Sequence, residues 1–215
     1  MKVLAIGLEP VDLITAAGGT LALYAKRGDE VNAVLVRTSD LTEEDFARAS
    51  ATFGDLGVTL QPAAVVPAIR DERGSRDSIM DTIRRISPEV IIGPSDNSIR
   101  PAERDLARLV FGAAYCSCVP NYPSPGGVEA SPIRPVILHT DPTLGFRSGT
   151  PEYVDIEHGW KEKQTAIGRY PNAEKHLAEA EALAGARGVQ VQCERAEAFG
   201  QEPVWGRLRP TRVLP

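Results

Sequence analysis

Histidine and cysteine are scarce in this chain of 215 residues: three of each, at His139, His158 and His176 and at Cys116, Cys118 and Cys193. The histidines lie far apart, and none has the HExxH or HxH spacing that brings two imidazoles onto one ion. A histidine-rich metal centre is thereby excluded. The cysteines are too few and too irregularly spaced for a disulfide framework or a zinc knuckle. They read as small buried apolar side chains in a reducing, cytoplasmic compartment. No apolar run nears the ~20 residues that a membrane span needs. Basic residues are outnumbered, with Lys+Arg 24 against Asp+Glu 29 and a formal net charge of −5. That balance offers no basic face to nucleic-acid phosphates. The opening MKVLAIGLEP is interrupted by Glu9 and Pro10, and reads as a first strand rather than a signal peptide.

What is present is a regular alternation. Short apolar runs at 3–6, 31–36, 58–66, 89–92, 136–138 and 189–193 read as strands. Helical patterns cover 20–27, 42–56, 77–86, 101–115, 157–169 and 173–186. Gly18-Gly19 opens the first of these and Gly28 closes it; Thr42 caps the second. Residues 119–135, rich in Pro and Gly, read as a surface loop. Strands alternating with helices imply right-handed βαβ units. The expectation is one α/β domain over 1–215 with a mostly parallel sheet. Ligands of such sheets sit beyond the carboxyl ends of the strands. Two loops meet that condition, 7–19 and 93–100.

The first loop holds Glu9 and Asp12, three apart, with Pro10 between them. Carboxylates this close repel unless a cation or an arginine sits among them. The second loop leads through Ser95, Asp96 and Asn97 to Arg100, with Glu103 in the first turn of the next helix. If both loops border one crevice, Glu9, Asp12 and Glu103 form a three-carboxylate cluster beside Arg100. Each also has a plain structural role: Glu9 facing solvent, Asp12 capping a helix, Glu103 complementing a helix dipole. Arg37 at the end of the second strand, Arg70 in a charged turn with Arg73, and His139 at a late strand end are further candidates for substrate contact. Tyr122 and Trp160 have the size to line a sugar-sized pocket or to pack in the core.

The segment Val3-Leu-Ala-Ile-Gly-Leu-Glu-Pro-Val-Asp12, followed by Ala17-Gly-Gly-Thr-Leu-Ala22 and Arg27-Gly-Asp-Glu-Val31, resembles the LmbE/PIG-L family of zinc-dependent deacetylases. Residues 47–58, Ser87-Pro-Glu-Val-Ile-Ile92, Val119-Pro-Asn-Tyr-Pro123, Asp141-Pro-Thr143, Tyr153-Val-Asp155 with Trp160 and Lys163, and Ala196-Glu-Ala-Phe199 extend the resemblance along nearly the whole chain. It implies a Rossmann-like three-layer α/β sandwich and an N-acyl sugar or related amide as substrate. The family's first motif, A-H-P-D-D-x-E, supplies a His ligand, an Asp base and an Asp ligand; here those positions hold Glu9, Val11 and Asp12, and Ile14 replaces the closing Glu. The second motif, H-P-D-H, reads Arg100-Pro101-Ala102-Glu103. Both ligand histidines are thus glutamates, and Val11 cannot accept a proton.

The resemblance therefore implies a remodelled hydrolase of amide or similar bonds. In it Glu9, Asp12, Arg100 and Glu103 carry the chemistry, and Arg37, Arg70 and His139 contact substrate. An all-oxygen set of Glu9, Asp12 and Glu103 suits Mg²⁺, Mn²⁺ or Ca²⁺ better than Zn²⁺; a site with no metal is the other outcome. The alternative is a catalytically silent member that binds a small molecule or a partner subunit. Relatives often assemble, so a homo-oligomer fits the family, although no interface signature is visible.

Overall fold

A computed structural model describes residues 1–70, 72–141 and 151–203. Asp71, which follows Arg70 in the sequence, and the Pro142-Thr143 part of the family resemblance lie outside the described residues.

The chain opens with β1 (Lys2–Gly7), where Val3, Leu4, Ala5 and Ile6 are all buried. There follow α1 (Pro10–Lys26), β2 (Glu30–Arg37), α2 (Glu43–Gly54), β3 (Thr59–Leu60), β4 (Ala64–Val65) and α3 (Arg73–Ile86). The second half comprises β5 (Val90–Gly93), α4 (Pro101–Ser117), β6 (Val136–Thr140), β7 (Glu152–Asp155), a 3₁₀ turn (Glu157–Gly159), α5 (Trp160–Ile167), α6 (Ala173–Val191) and β8 (Ala196–Pro203). The sheet runs β3-β2-β1-β5-β6-β8-β7, with β4 also paired to β2. The strands from β1 to β6 pair in parallel, and β8 runs antiparallel to both β6 and β7.

Alternation along the strands divides the core in two. Val3, Ala5, Ala33 and Leu35 face one side, packed with Leu21 of α1, Phe53 of α2, Ile167 of α5 and Ala184 of α6. Leu4, Ile6, Val34 and Val36 face the other, against Ile79 and Ile83 of α3 and Leu106 and Val110 of α4. The result is the expected three-layer α/β sandwich. Fully burying each such Val, Leu or Ile side chain contributes ~1.5–3 kcal/mol, which makes the two-sided strands the anchor of the fold.

Three sequence expectations are corrected. Residues 7–19 are not a long loop, because α1 starts at Pro10 and runs through Gly18 and Gly19. Pro at the first helical position loses no hydrogen bond. The glycines, costly within a helix, are required here by close approach. A Cβ on Gly19 would lie 2.7 Å from the Ile156 Cβ, and one on Gly18 would lie 3.2 Å from the Lys163 Cγ. In addition, the Gly19 and Thr20 amides donate to the Glu197 carboxylate at 2.9 and 2.8 Å. Mid-helix N–H groups thus meet an anion as those of a helix start would.

The strand expected at 189–193 is instead the end of α6, with Val189 80% exposed; the last strand is β8. The helix stops where Gln192 turns left-handed at φ 62°. Just before it, Gly188 lies so close to the Glu194 carbonyl that a Cβ would be 2.6 Å away. Finally, α3 begins at Arg73 rather than at residue 77, and β7 is a strand that the hydrophobic pattern did not mark, since none of its four residues is fully buried.

Candidate functional site

The carboxyl ends of β1, β5 and β6 open into a cavity of about 540 Å³, lined by Gly7 at the end of β1, Pro94 after β5 and Thr140 at the end of β6. Glu9, Asp12, Arg100 and Glu103 all line it. Glu9 is the residue preceding α1, and Asp12 lies in the first turn of that helix. Arg100 and Glu103 stand in the same relation to α4. Two helix starts therefore present their acidic residues to one space.

Arg100 joins the two sides. Its Nη1 donates to Asp12 Oδ2 and, at 3.2 Å, to Glu103 Oε1. The second Glu103 oxygen accepts from the Ser98 hydroxyl, and Ser98 Oγ in turn accepts from the Arg100 amide at 3.1 Å. Arg100, Ser98 and Glu103 thus close a ring of hydrogen bonds that orients the guanidinium. Burial opposes its charge, but Asp12 and Glu103 outweigh that and hold its pKa above the ordinary value. Glu9 turns the other way and accepts from Arg37 Nη1 at 3.2 Å. Among the described residues, Glu9 Oε2 and Arg100 Nη2 and Nε carry no hydrogen bond. These are the donors and the acceptor left for a ligand.

The opposite wall is α6. Glu179, Ala182, Leu183 and Ala186 line the cavity at positions i, i+3, i+4 and i+7, which is one helical face. That spacing was available in the sequence; the helix's place beside the site was not. Asp141, nearly fully buried after β6, pairs with Arg187 and ties α6 to the sheet. Leu8, Leu13 and Ile99 add apolar lining, and Ile99 is 59% exposed. Thr15 also lines the cavity, and its buried hydroxyl has no hydrogen-bond partner among the described residues.

The other candidates are elsewhere. His139 does not line the cavity; its Nδ1 meets the Pro94 carbonyl at 2.8 Å and its Nε2 meets Glu202 at 2.6 Å. It supports the loop that carries Arg100 from behind. Arg70 pairs with Glu72 outside the cavity, and Arg37 reaches it only through Glu9. Trp160 is buried in the core under Arg195 and Lys163, and Tyr122 packs against the α3–α4 side.

Known structures repeat this architecture. N,N′-diacetylchitobiose deacetylase from Pyrococcus horikoshii superposes with a TM-score of 0.76 at 19% identity, over 95% of this chain and 85% of that one. GalB, the 4-carboxy-2-hydroxymuconate hydratase from Pseudomonas putida KT2440, gives 0.79 at 19%, over 100% and 99%. The zinc-inhibited form of teicoplanin deacetylase Orf2 gives 0.69 at 13%, over 94% and 97%. The chain has the LmbE/PIG-L fold. No family model matches the sequence, and no curated protein does. Deacetylases and a hydratase thus share the LmbE/PIG-L fold, and the fold does not choose between reactions.

Zinc fits these residues poorly. It favours imidazole or thiolate, and Glu9, Asp12 and Glu103 offer oxygen alone. Nor do the three converge as expected from the sequence: Glu9 is drawn to Arg37, while Asp12 and Glu103 are drawn to Arg100. Among the described residues, no three His, Cys, Asp or Glu side chains are grouped to hold a metal ion. Also among the described residues, no helix is long and apolar enough to cross a membrane.

Proposed function

We propose that this chain is a hydrolase of an amide, N-acyl or similar bond in a sugar-like or secondary-metabolite substrate. It works in the cavity at the ends of β1, β5 and β6, with carboxylates and Arg100 in place of a zinc centre. The observation that carries this reading is Arg100 itself. Its Nη1 is held by Asp12 and Glu103, its other donors carry no hydrogen bond among the described residues, and the residue lines the cavity. A cavity of about 540 Å³ suits a small molecule.

In this reading Glu9 Oε2 takes a proton from water as the water adds to the substrate carbonyl. The Arg100 guanidinium receives the oxyanion that forms, with no rearrangement because its partners already fix it. Collapse breaks the C–N bond, and the proton held by Glu9 passes to the departing nitrogen. The products are a carboxylate and an amine. The apolar face of Leu8, Leu13, Ile99 and Leu183 receives the carbon skeleton. Deacetylases and a hydratase of this fold have in common the addition of water to a carbon centre, and Glu9 with Arg100 suits that step.

The test is amine release from a panel of N-acyl sugars and N-acyl amino compounds by the purified chain. Turnover that falls ~10²–10⁴-fold in Glu9→Gln, through kcat rather than KM, supports the reading. Undiminished turnover in Glu9→Gln and Arg100→Ala overturns it. Val11, which cannot accept a proton, favours a second reading: a binding protein in which the same panel raises the melting temperature and releases no amine.

A further inference from the structure

Asp12 and Glu103 come from different helices, 91 positions apart in the chain, yet they bond the same nitrogen of Arg100. Both helices direct the positive ends of their dipoles at this point, and both carry an acidic residue in the first turn. With Glu9 lining the same cavity, the carboxylates would repel one another without a cation. A divalent ion and a guanidinium are two solutions to that problem, and they compete for the same oxygens.

We infer that Arg100 is the resident cation of this site: its Nη1 occupies the place between Asp12 and Glu103 that a divalent metal would otherwise take, so the native chain excludes metal there and loss of the guanidinium creates a metal site. Three features support the assignment. One oxygen of Asp12 and one of Glu103 are both committed to Arg100 Nη1. The Ser98 hydroxyl fixes the second Glu103 oxygen and the Arg100 backbone amide together, so the Glu103 carboxylate that meets the guanidinium is held in place. The neighbouring Arg37 draws Glu9 away, which leaves two carboxylates for one cation. An ion held only by carboxylates keeps a hard, oxygen-rich shell, so Mn²⁺ and Mg²⁺ are the ions that the vacated site would take.

The consequence for chemistry is a division of labour. A zinc ion both polarises a carbonyl and acidifies its own water. A guanidinium donates hydrogen bonds to an oxyanion but cannot activate a water that it does not bind as a ligand. Water activation must therefore come from a carboxylate, which is the part given above to Glu9.

This inference rests on reading the cavity as the working site, and its test uses metal alone. The full chain, Asp12→Asn, Glu103→Gln, Arg100→Ala, Arg100→Gln and the doubles Arg100→Ala/Asp12→Asn and Arg100→Ala/Glu103→Gln are titrated with MnCl₂ and MgCl₂ by calorimetry and thermal melting. Folding of each is checked by circular dichroism. The expected result is no Asp12-dependent or Glu103-dependent binding by the native chain. Arg100→Ala or Arg100→Gln binds one Mn²⁺ at least about tenfold more tightly and melts higher with it, and either added neutralisation abolishes the gain. Two results overturn the inference: native binding of one ion that Glu103→Gln removes, or folded Arg100→Ala and Arg100→Gln proteins that gain none. Failure to release amines from the substrate panel would count against the hydrolase reading and leave the metal titration to stand by itself.

Discussion

Lys163 Nζ donates to Glu197 Oε1 at 2.7 Å, and neither side chain is more than 3% exposed. The pair lies behind the cavity, and Glu197 also holds the Gly19 and Thr20 amides of α1. The helix that presents Asp12 is thereby anchored to β8. Removing one partner of a buried pair leaves an uncompensated charge, at a cost of ~3–5 kcal/mol. Lys163→Met is expected to lose that much in urea denaturation. Lys163→Met/Glu197→Gln should recover part of it, because no charge is left alone, while the single amide oxygen can serve only one of the two helix N–H groups that the carboxylate oxygens share. A double variant no more stable than Lys163→Met would show that the pair is not the reason for the loss.

Glycine-to-alanine changes in two helices should differ in sign. Gly185 in α6 has open space where a Cβ would go, so Gly185→Ala should stabilise by ~0.5–1 kcal/mol. Gly19→Ala places its methyl 2.7 Å from the Ile156 Cβ. The overpacking should exceed the helix-propensity gain and destabilise by ~1–3 kcal/mol. Thermal melting of the two single variants decides this.

Arg84 is buried, and among the described residues its guanidinium donates to backbone carbonyls, those of Cys116, Ser117, Val119, Tyr122 and Val128. It organises the loop after α4 together with Asp81, which accepts from the Ser124 hydroxyl and the Gly126 amide. Arg84→Met should cost at least ~3 kcal/mol, since bonds to charged donors are worth ~1.5–3 kcal/mol each and their acceptors are left unpaired. Arg84→Lys should not rescue it, because an ammonium has three donors and no planar fork. Proteolysis within 119–135 should quicken in both variants.

His139 should make stability depend on pH. Burial pushes its pKa down, but the bonds to Glu202 and the Pro94 carbonyl, with the charges of Glu202 and Asp96, outweigh that and raise it above 6.5. Both ring nitrogens face acceptors, and only the imidazolium donates to both. The stabilisation is full below the unfolded-state pKa of ~6.5 and is lost as pH rises through the raised folded value. The stability gap between the native chain and His139→Ala should therefore be widest in acid and shrink above neutrality. A gap that widens with rising pH would contradict the assignment.

Much of this was legible in the sequence. The apolar runs of β1, β2 and β5 marked strands buried on both faces, and their alternation with helices implied the parallel sheet. Thr42 was expected to cap α2, and its hydroxyl accepts from the Asp45 amide. Gly28 was expected to end the first helix, and it follows α1 at φ 88°. The family motifs singled out Glu9, Asp12, Arg100 and Glu103, which the structure brings to one cavity. These features are local, so short stretches of residues specify them.

Tertiary structure decided the rest. A Gly-Gly pair reads as a helix breaker until Ile156, Gly159 and Lys163 press on it, because the compensation comes from contacts more than 130 positions away. Val189 and Val191 alternate like strand residues, but Gly188 packing on the chain that follows keeps them helical. The charges in the candidate site could not be paired from sequence: Asp12 and Glu103 looked like ligands for an ion, and the fold places Arg100 between them. Residue types set which charges the site contains. Their partners depend on distances between helix starts that only the folded sheet defines, and those distances bring one Arg100 nitrogen into hydrogen bonds with both carboxylates.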